Sequence, residues 1–191
     1  MITASFAKPV GLFDNWFNKL TAYVTGGEFC HSEFIFSFSI EQMEKFLKLI
    51  NEENSPSWKK KIKRYEEDGF IHMDFFIVWG DTVSIRLLKK THNNPYYKFP
   101  NEREFSLINI KNTTEEEELQ LAKFLHDQVK KEYDYYAALT YYIPGRDRAA
   151  SYNKYFCSQL MVASLQQINR LKSINPSSVT PNQLHALLLI Q

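Results

Sequence analysis

At 191 residues the chain is long enough to bury a substantial core and short enough to be expected as a single domain over residues 1–191. Its 44% hydrophobic, 15% aromatic and 24% charged content excludes the disordered and fibrous classes. Lys plus Arg number 23 against 22 Asp plus Glu, a net charge of +1, so charge gives no sequence-wide reason to bind nucleic acid or an anionic membrane, and no nucleic-acid partner is expected.

In chain order, Leu12, Phe13, Trp16, Phe17, Leu20, Tyr23 and Val24 recur at three and four and predict a helix over 12–24, stopped by Gly26-Gly27. Residues 29–38 are aromatic and partly alternating, which predicts a strand with His31 and Glu33 on one face and Cys30 on the other. Helical spacing returns from Ile40 to Asn51 through Met43, Phe46, Leu47 and Ile50, and Asn54-Ser55-Pro56-Ser57 breaks it. The basic run from Lys59 to Arg64, followed by Glu66, Glu67 and Asp68, reads as a solvated helix face of mixed sign rather than a nucleic-acid patch. Strands are predicted over 70–79 and 83–88, joined by a Gly80-Asp81 hairpin turn, and over 105–110 after a Pro- and Asn-rich loop at 92–101.

Thr113 or Thr114, with Glu115 to Glu118 behind it, caps a helix predicted to run to about Lys131. The aromatic segment 133–146 ends at Pro144-Gly145-Arg146, and 147–154 reads as an exposed loop. Cys157 opens a helix through Leu160, Met161, Leu165 and Ile168. The tail over 175–181 is expected to be extended, with a short apolar helix over 182–190. There is no internal repeat and no linker.

Cys30 and Cys157 are too few for a disulfide framework or a four-thiolate zinc site, which predicts a reducing, cytoplasmic compartment. Residues 1–17 lack the order of a signal peptide, and no stretch approaches the ~20 apolar residues of a membrane span. The chain is therefore expected to be soluble and unsecreted. Its use of Lys, Asn, Ile, Phe and Tyr has the bias of an AT-rich genome.

A helix N-terminus offers unpaired N–H groups and the positive end of a dipole, both of which stabilise a thiolate. Cys157 stands where such a helix begins. The matching base is a histidine, and His31 lies on a strand beside the carboxylate of Glu33. From spacing alone, the two read more readily as a core cysteine and a satisfied strand histidine.

Four segments in order add to this: Cys30-His31-Ser32-Glu33-Phe34; Glu132-Tyr133-Asp134-Tyr135; Tyr155-Phe156-Cys157-Ser158-Gln159-Leu160; and Asn175-Pro176-Ser177-Ser178-Val179-Thr180-Pro181 with Leu184. Together they resemble the circularly permuted papain-like branch of the NlpC superfamily, which includes bacterial YiiX-like proteins, phage-encoded relatives and a poxviral member. In that branch the histidine strand precedes the cysteine helix, as here. Three features depart from its pattern. Cys30 stands for the usual Ser or Thr, Gln159 stands for the usual acid, and 41–70 reads as a helical insertion between the first two strands.

The resemblance implies an α+β fold in which a small antiparallel sheet packs against helices. It implies a thiolate nucleophile at Cys157 and a general base at His31, acting on an amide, ester or thioester carbonyl of a peptide, lipid or acyl substrate without cofactor or metal. Glu33 matches the His-x-Glu motif, but same-face neighbours on a strand lie about 6.6 Å apart along the chain, and His72 or Asp74 on a neighbouring strand are the alternatives for orienting the ring. Tyr133, Asp134, Ser158 and Gln159 are expected to line the substrate site, and Tyr141 and Tyr142 either line it or pack. His72-Met73-Asp74 alternates like a metal site but lacks a third ligand. His92, His126 and His185 read as loop or helix-surface residues. The alternative to an enzyme is an inactive papain-like scaffold used as an interaction or virus-particle component, with protein assembly partners.

Overall fold

Alternation along one strand sets the architecture. In β2 (His31–Ser39), Phe34, Phe36 and Phe38 face one side of the sheet while His31, Glu33, Ile35 and Ser37 face the other. The computed structural model describes residues 1–9, 16–78, 80–89, 104–140 and 153–190. Around β2 stand β1 (Ile2–Ala7), β3 (Phe70–Phe76), β4 (Ser84–Leu88) and β5 (Phe105–Asn109), in the order β4-β3-β2-β1-β5 with every neighbouring pair antiparallel. Two short strands, β6 (Glu132–Tyr133) and β7 (Lys154–Tyr155), pair in parallel.

The helices are α1 (Trp16–Val24), α2 (Ile40–Leu49), α3 (Pro56–Tyr65), α4 (Glu115–Asp127), α5 (Tyr135–Thr140), α6 (Cys157–Gln167) and α7 (Pro181–Leu189). The fold is α+β, with an antiparallel sheet against helices, as the sequence leads one to expect. Ile2 and Met73 flank Phe36 in register, and Ala4 and Phe75 flank Phe34. This apolar face is buried beneath Met43 and Phe46 of α2, Leu121 and Leu125 of α4, and Met161 and Leu165 of α6. The rings of Phe36 and Phe75 meet edge-on at 5.4 Å between centroids. Each buried phenyl contributes roughly 2–3 kcal/mol, so this face of β2 holds the helices in place.

The opposite face is also buried, yet it carries Thr3, Ser5, Glu33, Ser37, His72 and Asp74. Buried polar groups need partners, and the strands supply them to one another. Thr3 Oγ1 donates to Asn109 Oδ1 at 3.0 Å, and the Ser37 hydroxyl and His72 Nδ1 share a hydrogen bond of 2.8 Å.

Several expectations change. β1 has no counterpart in the sequence reading. Its Ile2, Ala4 and Phe6 alternate with Thr3, Ser5 and Ala7, and pairing with both β2 and β5 satisfies its backbone groups. Of the helix predicted over 12–24, α1 begins at Trp16, and Leu12 and Phe13 lie outside the described residues. The loop at 92–101, the Pro144-Gly145-Arg146 end and 147–152 also lie outside them. Thr114 caps α4. The helix stops short of Lys131 because Lys130 adopts φ 74° and the chain turns to exchange backbone hydrogen bonds with Val83: Lys130 N–H to Val83 O at 2.9 Å and Val83 N–H to Lys131 O at 2.8 Å. The segment 175–181 is not simply extended, since Pro176–Ser178 forms a 3-10 turn whose Ser177 N–H is taken by the Asn175 side chain at 3.0 Å. Helix α3 is not of mixed sign, because Glu66 is its C-cap and Glu67 and Asp68 fall in the following turn. No helix among the described residues is long and apolar enough to cross a membrane.

Asn182, in the first turn of α7, joins the tail to the loop that enters β2. Its Nδ2 donates to Phe29 O at 3.0 Å and to Thr25 Oγ1 at 2.5 Å, while its Oδ1 accepts from Phe29 N–H at 2.9 Å. Gly27 sits against that amide, where a Cβ would collide with it. Gly27→Ala is therefore expected to lower stability by about 1–3 kcal/mol. Asn182→Ala is destabilising alone, but the double variant should lose less than the sum, because the clash disappears with the amide. Urea unfolding of the four proteins checks this.

Candidate active site

Helix α6 begins at Cys157 because the chain leaves β7 extended through Phe156 (φ −104°, ψ 168°) and its apolar run then turns helical. Phe156 occupies the N-cap position and has no side-chain acceptor, so it supplies no capping oxygen to the first N–H groups of α6. Gln159 reaches back, its Oε1 accepting from the Phe156 N–H at 3.3 Å, while its Nε2 donates to Ser177 Oγ at 3.0 Å. The amide does both tasks, whereas a carboxylate at this position would only accept. Ser158 Oγ donates to Val179 O at 2.6 Å. Both side chains are buried and committed to the tail, which places them as anchors of α6 rather than on a surface a substrate reaches.

His31 opens β2 at the end nearest α6, opposite Ala7 of β1. Its ring lies within hydrogen-bonding reach of the Cys157 thiol and within 3.3 Å of Glu33 Oε2 through Nε2. The side chains of His31 and Glu33 lean together across the two-residue spacing, closing the gap their Cα separation leaves. Glu33 is only 4% exposed and also accepts from Ser5 Oγ at 3.4 Å. Cys30, on the other side of the strand end, donates its thiol to Ala7 O at 3.4 Å and is buried.

Burial opposes a charged His31, but hydrogen bonds to Cys157 and Glu33 and their negative charges outweigh it and raise the ring's pKa to about 10. Burial likewise pushes the Cys157 thiol up, and the His31 hydrogen bond and charge, with help from the Ser32 backbone N–H and hydroxyl, bring it below its ordinary 9.0. Each partner thus favours the charged form of the other.

Behind Glu33 stands a group that carried no sequence signal. Arg86 of β4, opposite Asp74 of β3, donates to Asp74 Oδ2 through both Nε and Nη2, lies 3.8 Å from Glu33 Oε2 and stacks on the Phe76 ring at 4.5 Å. Burial, together with the charge of Glu33, holds the Asp74 carboxyl well above the usual carboxylate range, against the pull of Arg86. The basic groups His31 and Arg86 thus alternate with the acidic side chains of Cys157, Glu33 and Asp74, which lowers the cost of burying charge in a low dielectric.

Of the other sequence candidates, Tyr133 is buried, pairs with Tyr155 in β6–β7, and lies 5.3 Å from the Tyr135 ring. Asp134 accepts from Ala137 N–H at 2.8 Å at the start of α5. Tyr141, Tyr142 and His92 lie outside the described residues. His72 shares its hydrogen bond with Ser37, and neither it nor Asp74 takes the place of Glu33 beside His31. His126 contacts Phe46 from α4, and His185 shares a 2.8 Å hydrogen bond with Ser106 beneath Phe29. Comparison with protein-family models, with curated proteins and with solved structures finds no match.

Alkylation of Cys157 by iodoacetamide should rise with pH through a midpoint below 9.0 and change again near 10, where His31 loses its proton. His31→Ala removes the cation and leaves burial opposed by Ser32 alone, so that variant's midpoint should move up. Peptide-resolved mass spectrometry across pH, with Cys30 as the internal reference, checks both.

Proposed function

We propose that the protein is a thiol hydrolase or acyltransferase of the permuted papain-like kind, acting on an amide, ester or thioester bond of a peptide, lipid or acyl substrate. The observation that carries this reading is the Cys157–His31 contact at the head of α6, with Glu33 on the ring. A buried cysteine at a helix start whose pKa is lowered by a charged histidine is chemically poised for acyl transfer.

The thiolate of Cys157 attacks the substrate carbonyl carbon and forms a C–S bond, and the carbonyl oxygen takes the electron pair. The backbone N–H groups at the start of α6 stabilise that oxyanion. As the C–N, C–O or C–S bond breaks, His31 gives its proton to the leaving group, and the acyl group remains on Cys157. His31, now neutral, takes a proton from water for hydrolysis or from an acceptor for transfer as that oxygen or nucleophile bonds to the acyl carbon, the C–S bond breaks, and the thiolate leaves beside a restored imidazolium. Glu33 keeps the imidazole oriented and stabilises its charged form.

One observation favours a second reading, an inactive scaffold serving as an interaction or virus-particle component. Cys157 is only 6% exposed. A thiol-directed probe separates the two, since selective labelling of Cys157 over Cys30 fits an enzyme and equally slow labelling of both fits a scaffold.

With a thioester or activated ester as substrate, Cys157→Ala and His31→Ala should abolish turnover. Glu33→Gln should retain a measurable rate, as a group that only supports the base costs less on removal than nucleophile or base, by roughly 10–100-fold in comparable triads. Steady-state kinetics of the three variants, each checked for folding by circular dichroism, decides this. Full activity in Cys157→Ala overturns the mechanism.

A further inference from the structure

Beyond the thiol site, the structure has a groove of about 500 Å³ between α3 and β4. From the helix it is lined by Trp58, Lys60, Lys61 and Arg64, and from the sheet by Ile85, Arg86 and Leu87. Successive side chains of a strand point to opposite faces, so three consecutive lining residues bring the outer margin of β4 into the groove. Among the described residues β4 is the last strand on its side of the sheet. The chain already uses the beginning of this edge, where Val83 exchanges two backbone hydrogen bonds with Lys130 and Lys131 and Thr82 bridges Glu132.

The charge of the groove is one-sided. Lys60, Lys61 and Arg64 fall on one face of α3 at helical spacing, α3 contains no acidic residue, and none lines the groove. Half-buried Trp58, Ile85 and Leu87 add apolar surface between the cations.

We propose that this groove binds an extended acidic peptide segment, which pairs with the edge of β4 as an added strand. Backbone pairing supplies the register, Lys60, Lys61 and Arg64 meet the peptide's carboxylates, and its alternate apolar side chains rest on Ile85 and Leu87. A single-stranded nucleic acid fits less well, because the ring faces that would stack on bases are covered by the protein's own cations: Lys61 Nζ lies 5.0 Å over Trp58 and the Arg64 guanidinium 5.6 Å over Tyr65. An anionic membrane also fits less well, as the apolar residues of α3, Trp58 and Ile62, turn inward against the core.

The test uses the full chain and a short fluorescein-labelled peptide of alternating Glu and Val, followed by fluorescence anisotropy. Binding should weaken with added salt and fall by about tenfold or more in the K60E/K61E/R64E variant. It should fall comparably when the amides on one edge of the peptide are N-methylated, a loss that charge alone does not produce. Circular dichroism and the melting temperature confirm that the variant is folded, and if charge reversal unfolds it, K60Q/K61Q/R64Q replaces it. Failure of the peptide to bind, indifference to N-methylation, or indifference to the charge change overturns the proposal. So does tighter binding of an oligothymidylate or of phosphatidylserine vesicles than of the peptide.

Discussion

The two faces of β2 do different work, and both halves of the candidate site depend on that division. Phe34, Phe36 and Phe38 lie in the core beneath α2, α4 and α6, which fixes the height and direction at which α6 meets the sheet. His31 and Glu33 lie on the other face and are held by the neighbouring strands, Ser5 on one side and Asp74 with Arg86 on the other. A register slip of one residue would exchange the faces, placing a carboxylate in the aromatic core and removing the base from the thiol. The long aromatic run guards against this, because each phenyl on the wrong side costs its full burial energy.

Electrostatics explains why the polar face of the sheet tolerates so many buried charges. Isolated, each of these ions would be expelled or neutralised. Together they form a chain from sulfur to imidazole, carboxylate, guanidinium and a second carboxyl, whose pKa burial and the charge of Glu33 hold well above the usual range. Changes in the charge of the thiol–imidazole end can thus be felt at Asp74 through groups that never touch the sulfur.

The C-terminal segment acts as a brace across the same region. Ser177 and Val179 hold Gln159 and Ser158 in the first turn of α6, and Asn182 holds the loop from Thr25 to Phe29 just before His31. The capping box of α7, in which Thr180 and Gln183 satisfy each other's backbone N–H groups, sets the angle of that brace. Nucleophile and base come from opposite ends of the chain, and a third segment maintains their spacing.

Much of this was legible from local chemistry. The aromatic alternation of β2, the acidic first turn of α4 and the apolar run behind Cys157 each specify an element through short-range physics, and the side of the strand on which His31 and Glu33 sit follows from the period of two. Other features were not legible because they are properties of pairing. Residues 2–7 are a strand because two neighbours satisfy their backbone groups, α4 ends where Val83 captures the chain, and α3 is purely basic because the helix stops before the acids that follow it in sequence. Arg86 has no local signature at all. Its place beside Glu33 and Asp74 comes from the register of β4 on β3, and the approach of Cys157 to His31 comes from α6 lying across β2. The sequence by itself determined which side chains carry chemistry and which face of its own element each one takes. The tertiary structure alone decided which of them meet, because a contact between distant residues is fixed by strand order, register and helix docking, none of which is written in the period of any single segment.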